Sequence, residues 1–320
     1  MKRLAAATAL VLSLAALPSA GRAQAPAKQY RITYIQGVTG NPFYMSVSCG
    51  GAEAAKRLGV TFEAQGPQQY TPALQMRVLN AVIAAQPDGI MFTSDDPVAL
   101  TATLMEAKER GIKILSIDGD VKDLSVAVSN IQSDNFDGGS QAGKRLAELV
   151  GDKGEVMALM NSPAANVAQQ RLQGFQEEIA KHPGITFLGV QYSNNQTAKA
   201  ASIITSTVAA HPDLAGVFTI TTNNTEGATT GVREAQREGK IKIVGFDTSD
   251  PIVEAIRKGI VSADIVQYPY RVGQLGVEMM VDALQGKPIE RQVHTPFVVA
   301  TPQNIDTPEV QKFIYRTNCQ

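Results

Sequence analysis

Short apolar runs rich in β-branched residues recur along the chain, each followed by a stretch patterned for a helix. The runs are Ile32–Gly37, Val60–Gln65, Gly89–Ser94, Ile112–Asp118 and Val126–Asn130, then Glu155–Met160, Ile185–Gln191, Gly216–Ile220, Ile241–Asp247 and Val261–Gln267. A last run spans Pro296–Thr301. Most are near-continuous rather than alternating, the pattern of parallel strands covered on both faces. The first helical stretch carries one apolar stripe, Phe43, Val47, Ala54 and Leu58. Asn41, Thr71, Asp96 and Asp250 each precede a proline suited to the first helical position, with Ser249 a second candidate cap at the last of these. Gly59, Gly111 and Gly259 suit left-handed helix stops. Alternation of this kind predicts a doubly wound α/β fold.

Two phrases occur twice. IKILSID (Ile112–Asp118) returns as IKIVGFD (Ile241–Asp247), and AAQPDGIMF from Ala84 returns as AAHPDLAGVF from Ala209, at similar spacing. One α/β unit is therefore used twice, with Asp118 and Asp247 as equivalent residues. A carboxylate at the C-terminal end of a buried parallel strand sits where open α/β sheets bind ligands. Two such halves face to face would set two carboxylates on opposite walls of one cleft.

Composition narrows the class. With 44% hydrophobic and 18% charged residues, the chain has ordinary soluble globular material. Lys2 and Arg3, an apolar run from Leu4 to Leu17, and Ala23-Gln24-Ala25 together predict a secretory signal peptide over residues 1–25. Export to a bacterial periplasm follows, with a mature chain starting near Pro26. No cysteine near the cleavage site suggests a lipid anchor, and no second long apolar run suggests a membrane span. The formal net charge is −1, and cleavage would remove basic residues, so nucleic acid is not an expected partner.

Cys49 and Cys319 would lie in a compartment where disulfides persist. Either they pair and clip the tail to the first helix, or both stay unpaired. His182, His211 and His294 stand apart from one another and from ligand-spaced acids, so no metal and no cofactor are expected. A nucleophile elbow, a phosphate loop and a dinucleotide fingerprint are absent, and the glycines of Gly37–Gly40 have the wrong spacing for one. The strand-end acids lack a nucleophile to serve, so the chain is not expected to be an enzyme.

Gly40-Asn41-Pro42-Phe43-Tyr44 follows the first strand. An aromatic face beside amide and carboxylate groups suits a sugar, whose hydroxyls both donate and accept. The plainer alternative is that Asn41 only caps the helix and Phe43 only packs.

Five stretches resemble the ribose-binding protein group of periplasmic sugar-binding proteins, the solute receptors of pentose and hexose ABC importers. They are NPFY (Asn41–Tyr44), SIDGD (Ser116–Asp120), SDNFDGGSQAG (Ser133–Gly143), QRLQGF (Gln170–Phe175), and the pair GFD and IVQYP (Gly245–Asp247, Ile265–Pro269). The resemblance implies a type I periplasmic binding protein fold: two similar doubly wound parallel-sheet lobes joined by a three-segment hinge. Residues 26–132 with 268–295 would form the N-terminal lobe. Residues 133–267 with 296–320 would form the C-terminal lobe and tail.

It also implies the site. Asn41 and Phe43 would contact the ligand, with Tyr44 in place of a second phenylalanine, and Phe43 and Tyr44 would sandwich its ring. Asp118 and Asp247 would accept hydroxyl protons from opposite lobes, Arg171 would donate, and Gln267 would bond near the hinge. Three positions depart from the family pattern. Its arginine after the first strand-end aspartate is Gly119 here, its second-lobe asparagine falls at Thr221 with Asn223 and Asn224 nearby, and its second-lobe cleft aromatic is Asn195. Gly37, Gly119, Asn195 and Asn223 complete the expected ligand-lining set, and Asp95 and Asp96 stand at a neighbouring strand end. These departures point to a different pentose, a hexose or a sugar alcohol rather than ribose.

The implied function is that of a monomeric periplasmic receptor that closes on its solute and presents it to a membrane permease. A chemoreceptor or sensor kinase is a compatible second partner. Weighed against this are a receptor for a furanosyl signalling molecule, whose second-lobe acid has no counterpart here, and a periplasmic sugar-modifying enzyme, whose base is not visible. An effector-binding transcriptional regulator would need a helix-turn-helix where the signal peptide stands.

Overall fold

The computed structural model describes residues 29–96, 98–119, 123, 125–163 and 166–319. The predicted signal peptide lies outside the described residues. In chain order the first half runs β1 (Arg31–Ile35), α1 (Pro42–Leu58), β2 (Thr61–Gln65), α2 (Pro72–Ala84), β3 (Gly89–Phe92), α3 (Thr101–Glu109), β4 (Lys113–Ile117) and β5 (Ser129–Ser133). The second half runs α4 (Asn135–Val150), β6 (Gly154–Met160), α5 (Asn166–Ile179), β7 (Ile185–Tyr192), α6 (Thr197–Ala210), β8 (Leu214–Thr219), α7 (Thr222–Glu234), β9 (Lys242–Phe246), α8 (Asp250–Arg257) and β10 (Val261–Val266). Then follow α9 (Pro269–Leu284), β11 (Gln292–Thr295), β12 (Val298–Ala300) and α10 (Pro308–Gln311).

The strands form two six-stranded sheets, ordered β11-β5-β4-β3-β1-β2 and β12-β10-β9-β8-β6-β7. Every described pairing is parallel except that of β12 with β10. This is the two-lobed type I periplasmic binding protein architecture. The chain passes between lobes three times. It leaves β5 for α4, which packs on α5 and on β8, β9 and β10; it leaves β10 for α9, which packs on α1, β3 and β4; and it leaves β11 for β12.

Local chemistry explains where elements start and stop. Asn41 caps α1 by accepting from the Phe43 N–H at 2.9 Å, Pro42 opens the helix, and Gly59 ends it at φ 69°. Ser249, not Asp250, caps α8, accepting from the Ile252 N–H; Asp250 is already helical. Asp96 does not start a helix. Its carboxylate accepts from the N–H groups of Val98 and Ala99 and closes a turn, and α3 begins only at Thr101. Such local side-chain bonds compete with the helix they precede.

One strand differs from expectation and one is additional. β5 is the buried polar segment Ser129–Ser133 rather than Val126–Asn130, because pairing between β4 and β11 satisfies its backbone whatever its side chains are. The last apolar run forms one strand, β12, as expected, and a strand not expected from the sequence, β11, precedes it. Pro296 has no N–H to give a ladder, so the chain breaks there into β11 in the first sheet and β12 in the second. After α10 the tail leaves the second lobe and ends on the first, where Cys319 is disulfide-bonded to Cys49 of α1. Among the described residues no helix is long and apolar enough to cross a membrane.

Candidate functional site

The C-terminal ends of both sheets face one cleft, and the repeated carboxylates stand there. Asp118 follows β4 and Asp247 follows β9, and each has a positive φ, 44° and 71°. Non-glycine residues rarely adopt this backbone, and it persists only where the surroundings impose it. Here the Asp118 N–H donates to the Ile131 carbonyl at 2.9 Å, and the Asp247 N–H donates to the Ile265 carbonyl at 3.0 Å. The neighbouring strand thus holds each aspartate in the turn that aims its side chain off the sheet edge.

Arg171 of α5 stands between them, 2% exposed. Its Nε donates to Asn135 Oδ1 at 2.8 Å and its Nη1 to the Ile220 carbonyl at 3.0 Å. Nη1 also lies 3.5 Å from Asp247 Oδ2, and the guanidinium carbon sits 3.9 Å over the Phe246 ring. Three fixed bonds and a stacked ring make it a rigid fork. Its Nη2 has no hydrogen-bond acceptor among the described residues and lies 3.8 Å from Asp118 Oδ1. That separation is too long for a hydrogen bond. A hydroxyl placed beside them could accept from the nitrogen and donate to the carboxylate.

Asp247 is more fully engaged. Its Oδ1 accepts from Gln267 Nε2 at 2.7 Å and from the hydroxyl of Tyr315 in the tail. Tyr315 also meets Phe43 edge-on, with ring centroids 5.9 Å apart. Nothing in local sequence marks Tyr315; only pairing of Cys319, four positions on, would have drawn it to α1.

Phe43 and Tyr44 do not form the expected sandwich. Their rings lie 5.5 Å apart at 89° to each other, because consecutive helical residues project in different directions. They form two perpendicular walls, both buried. Gly37 lies behind Tyr44: a Cβ there would stand 2.6 Å from the Tyr44 hydroxyl and 2.9 Å from Asp95 Oδ1, so only glycine fits this packing. Asp95 is 3% exposed, and neither of its oxygens has a hydrogen-bond partner among the described residues. Burial pushes its carboxyl up to about 9, so at neutral pH it is a protonated acid that can donate and accept.

Outward of this floor, a cavity of about 740 Å³ opens between the lobes. Asn41, Tyr70 and Asp95 line it from the first lobe, and Asn161, Asn195, Thr222 and Asn223 from the second. Asn41 uses Oδ1 as the helix cap, leaving its amide nitrogen for the cavity. Asn223 Nδ2 donates to the Asn195 carbonyl at 3.0 Å, tying α7 to the loop after β7. Thr221, at the start of α7, has a buried hydroxyl without a partner among the described residues, as does Thr222. Asn224 is buried under the loop, donating to the Leu159 carbonyl and accepting from Ser193. At Gly119 a Cβ would meet only ordinary contacts with the backbone of Ser94 and Ile117. Among the described residues no cluster of His, Cys, Asp and Glu has metal-holding geometry.

Residues 32–288 match the family model described as a periplasmic binding protein domain. Over 292 residues, 91% of this chain and 95% of the relative, the sequence is 28% identical to the ribose import binding protein of Salmonella typhimurium. The fold is similar to an ABC transporter solute-binding protein from Agrobacterium vitis bound to α-D-tagatopyranose, with 36% identity, a TM-score of 0.88, and coverage of 90% of this chain and 100% of that one. A second such protein from Agrobacterium vitis, with bound D-fucose, is 27% identical at a TM-score of 0.86, covering 89% of this chain and all of that one (100%).

Proposed function

The chain belongs to the periplasmic binding protein domain family, and from that premise we propose that it is the solute receptor of an ABC importer, taking a monosaccharide or sugar alcohol between its lobes. The observation that carries this reading is the buried Arg171 Nη2, which has no hydrogen-bond acceptor among the described residues and lies 3.8 Å from Asp118 Oδ1, within reach of one ligand hydroxyl that could meet both. Asp247 Oδ2, Asp95 and the amide of Asn41 supply further partners for a ring of hydroxyls, and the perpendicular faces of Phe43 and Tyr44 supply apolar contact. The relatives with tagatopyranose and fucose bound support a neutral sugar.

In this reading the lobes are residues 26–132 with 268–295 and 133–267 with 296–320, and they close about the three crossing segments. Asp118 and Asp247 approach one another across the cleft on closure, so two desolvated carboxylates with one guanidinium disfavour the empty closed form. A ligand that fills their acceptor positions removes that penalty. Only the loaded form then presents both lobes together to the permease. The protein works as an exported monomer in the periplasm.

A thermal-shift screen of the mature chain against pentoses, hexoses, sugar alcohols, amino acids and purines tests this. A sugar or polyol at 100 times its dissociation constant should stabilise the protein by about 2.7 kcal/mol. Stabilisation by an amino acid or purine alone would overturn the assignment.

A further inference from the structure

The family match ends at residue 288, yet the last residues of the chain reach the floor of the cleft. We propose that the disulfide-tethered C-terminal tail is a functional wall of the ligand site: the Cys49–Cys319 bridge holds the Tyr315 hydroxyl on Oδ1 of Asp247, leaving Oδ2 as the oxygen that accepts from the ligand. This rests on the reading of the cleft as a sugar site.

The tail between α10 and Cys319 has no regular secondary structure, and individual contacts and the bridge position it. Phe313 packs on Tyr268 at the second crossing, with centroids 4.7 Å apart. The Arg316 N–H donates to Ser46 Oγ at 3.2 Å, and its guanidinium lies 4.1 Å over the Tyr270 ring. Tyr315, between these anchors, is 5% exposed. An irregular segment of this kind is mobile unless it is tied down. The bridge ties it to α1, the helix that also carries Phe43. The tail is thus a fourth link between lobes, starting at β12 in the second and ending on the first.

The consequence for Asp247 is an acceptor count. An ionised carboxylate has roughly four acceptor positions. Gln267 and Tyr315 occupy those of Oδ1, and Arg171 approaches Oδ2, so one position on Oδ2 remains. Burial, and then the charge of Asp247, hold the Tyr315 phenol well above its ordinary range, so it stays a donor. Tyr315 is a positioning residue: it fixes the plane of the carboxylate that the ligand meets.

The test compares the oxidised mature chain with Tyr315→Phe, Cys49→Ser/Cys319→Ser, and the triple combination. The probe is whichever of D-ribose, D-arabinose, D-tagatose and D-fucose binds the unaltered protein most tightly in titration calorimetry. Loss of a hydrogen bond to a carboxylate predicts roughly tenfold weaker binding for Tyr315→Phe, a similar loss for the cysteine pair, and no further loss when combined. Unchanged or tighter binding by Tyr315→Phe, or unchanged binding without the bridge, would overturn the proposal. Failure of all four sugars to bind the unaltered protein would count against the sugar reading instead. The tether is then decided without ligand, by ¹⁹F spectra of 3-fluorotyrosine-labelled protein with Tyr315 assigned through the Phe variant. A Tyr315 resonance that moves to the solvent-exposed position in the cysteine variant supports the tether, and an unmoved one overturns it.

Discussion

Asp118 and Asp247 end equivalent strands in the two lobes with positive φ angles of 44° and 71°, and one guanidinium, that of Arg171, stands between their carboxylates. A residue in this backbone region costs about 1–3 kcal/mol. Both copies of the repeated unit carry it, and both acids stand beside the same guanidinium, at 3.8 and 3.5 Å. Asparagine tolerates the same backbone, which makes the charge separable from the turn. Asp118→Asn and Asp247→Asn should therefore fold normally and bind the cognate sugar at least ~10-fold more weakly, since each loses a charge-assisted bond. Titration calorimetry on both variants checks this.

Arg171 is structural as well as ligand-facing. It is buried, stacked on Phe246, and bonded to Asn135 and the Ile220 carbonyl. Arg171→Ala should abolish sugar binding and also lower stability by roughly 3–5 kcal/mol, because it leaves buried carboxylates without their cation. Urea unfolding of the ligand-free variant measures the second effect. A change in binding with stability intact would mean that the network around Arg171 contributes nothing to the fold.

Asp95 sets a pH dependence. Its folded-state pKa is raised, to about 9, by burial. In the unfolded chain it ionises near 4, so between these values the unfolded state has released a proton that the folded state keeps. Its contribution to stability therefore falls as pH rises from about 4 towards 9. Asp95→Asn removes that loss. The variant should gain stability over the parent at pH 7, on the order of 1 kcal/mol, and gain nothing at pH 4. Denaturant titrations at the two pH values give the comparison.

Gly37 tests the wall behind the ligand. An added methyl would stand 2.6 Å from the Tyr44 hydroxyl. Gly37→Ala should displace the Tyr44 ring into the cleft, cost about 1–3 kcal/mol by overpacking, and weaken sugar binding. Thermal unfolding with and without sugar separates the two effects.

What could be seen in the sequence follows from what periodicity encodes. Near-continuous apolar strands and proline-marked helix starts announced the two parallel sheets, and the repeated IKI phrase announced the paired strand-end acids. Positions set by chemistry at a distance stayed hidden. Asp95 was legible as a strand-end acid beside the site, but not its burial behind Tyr44, which makes it part of the floor. The place of Tyr315 depends on a bridge across 270 residues of sequence. The perpendicular Phe43 and Tyr44 were hidden for a different reason: the motif names the residues, but the helix decides their angle. β5 was expected three residues too early because its strand is polar, and hydrophobic runs cannot fix the bounds of a buried polar strand.

The central claim is that one ligand hydroxyl joins Arg171 to Asp118 between the lobes. Calorimetric titration of the unaltered protein and of Asp118→Asn, using the sugar or polyol that most raises the melting temperature, tests it most directly. The account predicts one site per chain, a negative heat-capacity change from burial on closure, and at least tenfold weaker binding by Asp118→Asn. Equal affinity in the two proteins would contradict it, and so would a panel in which no sugar or polyol binds at all.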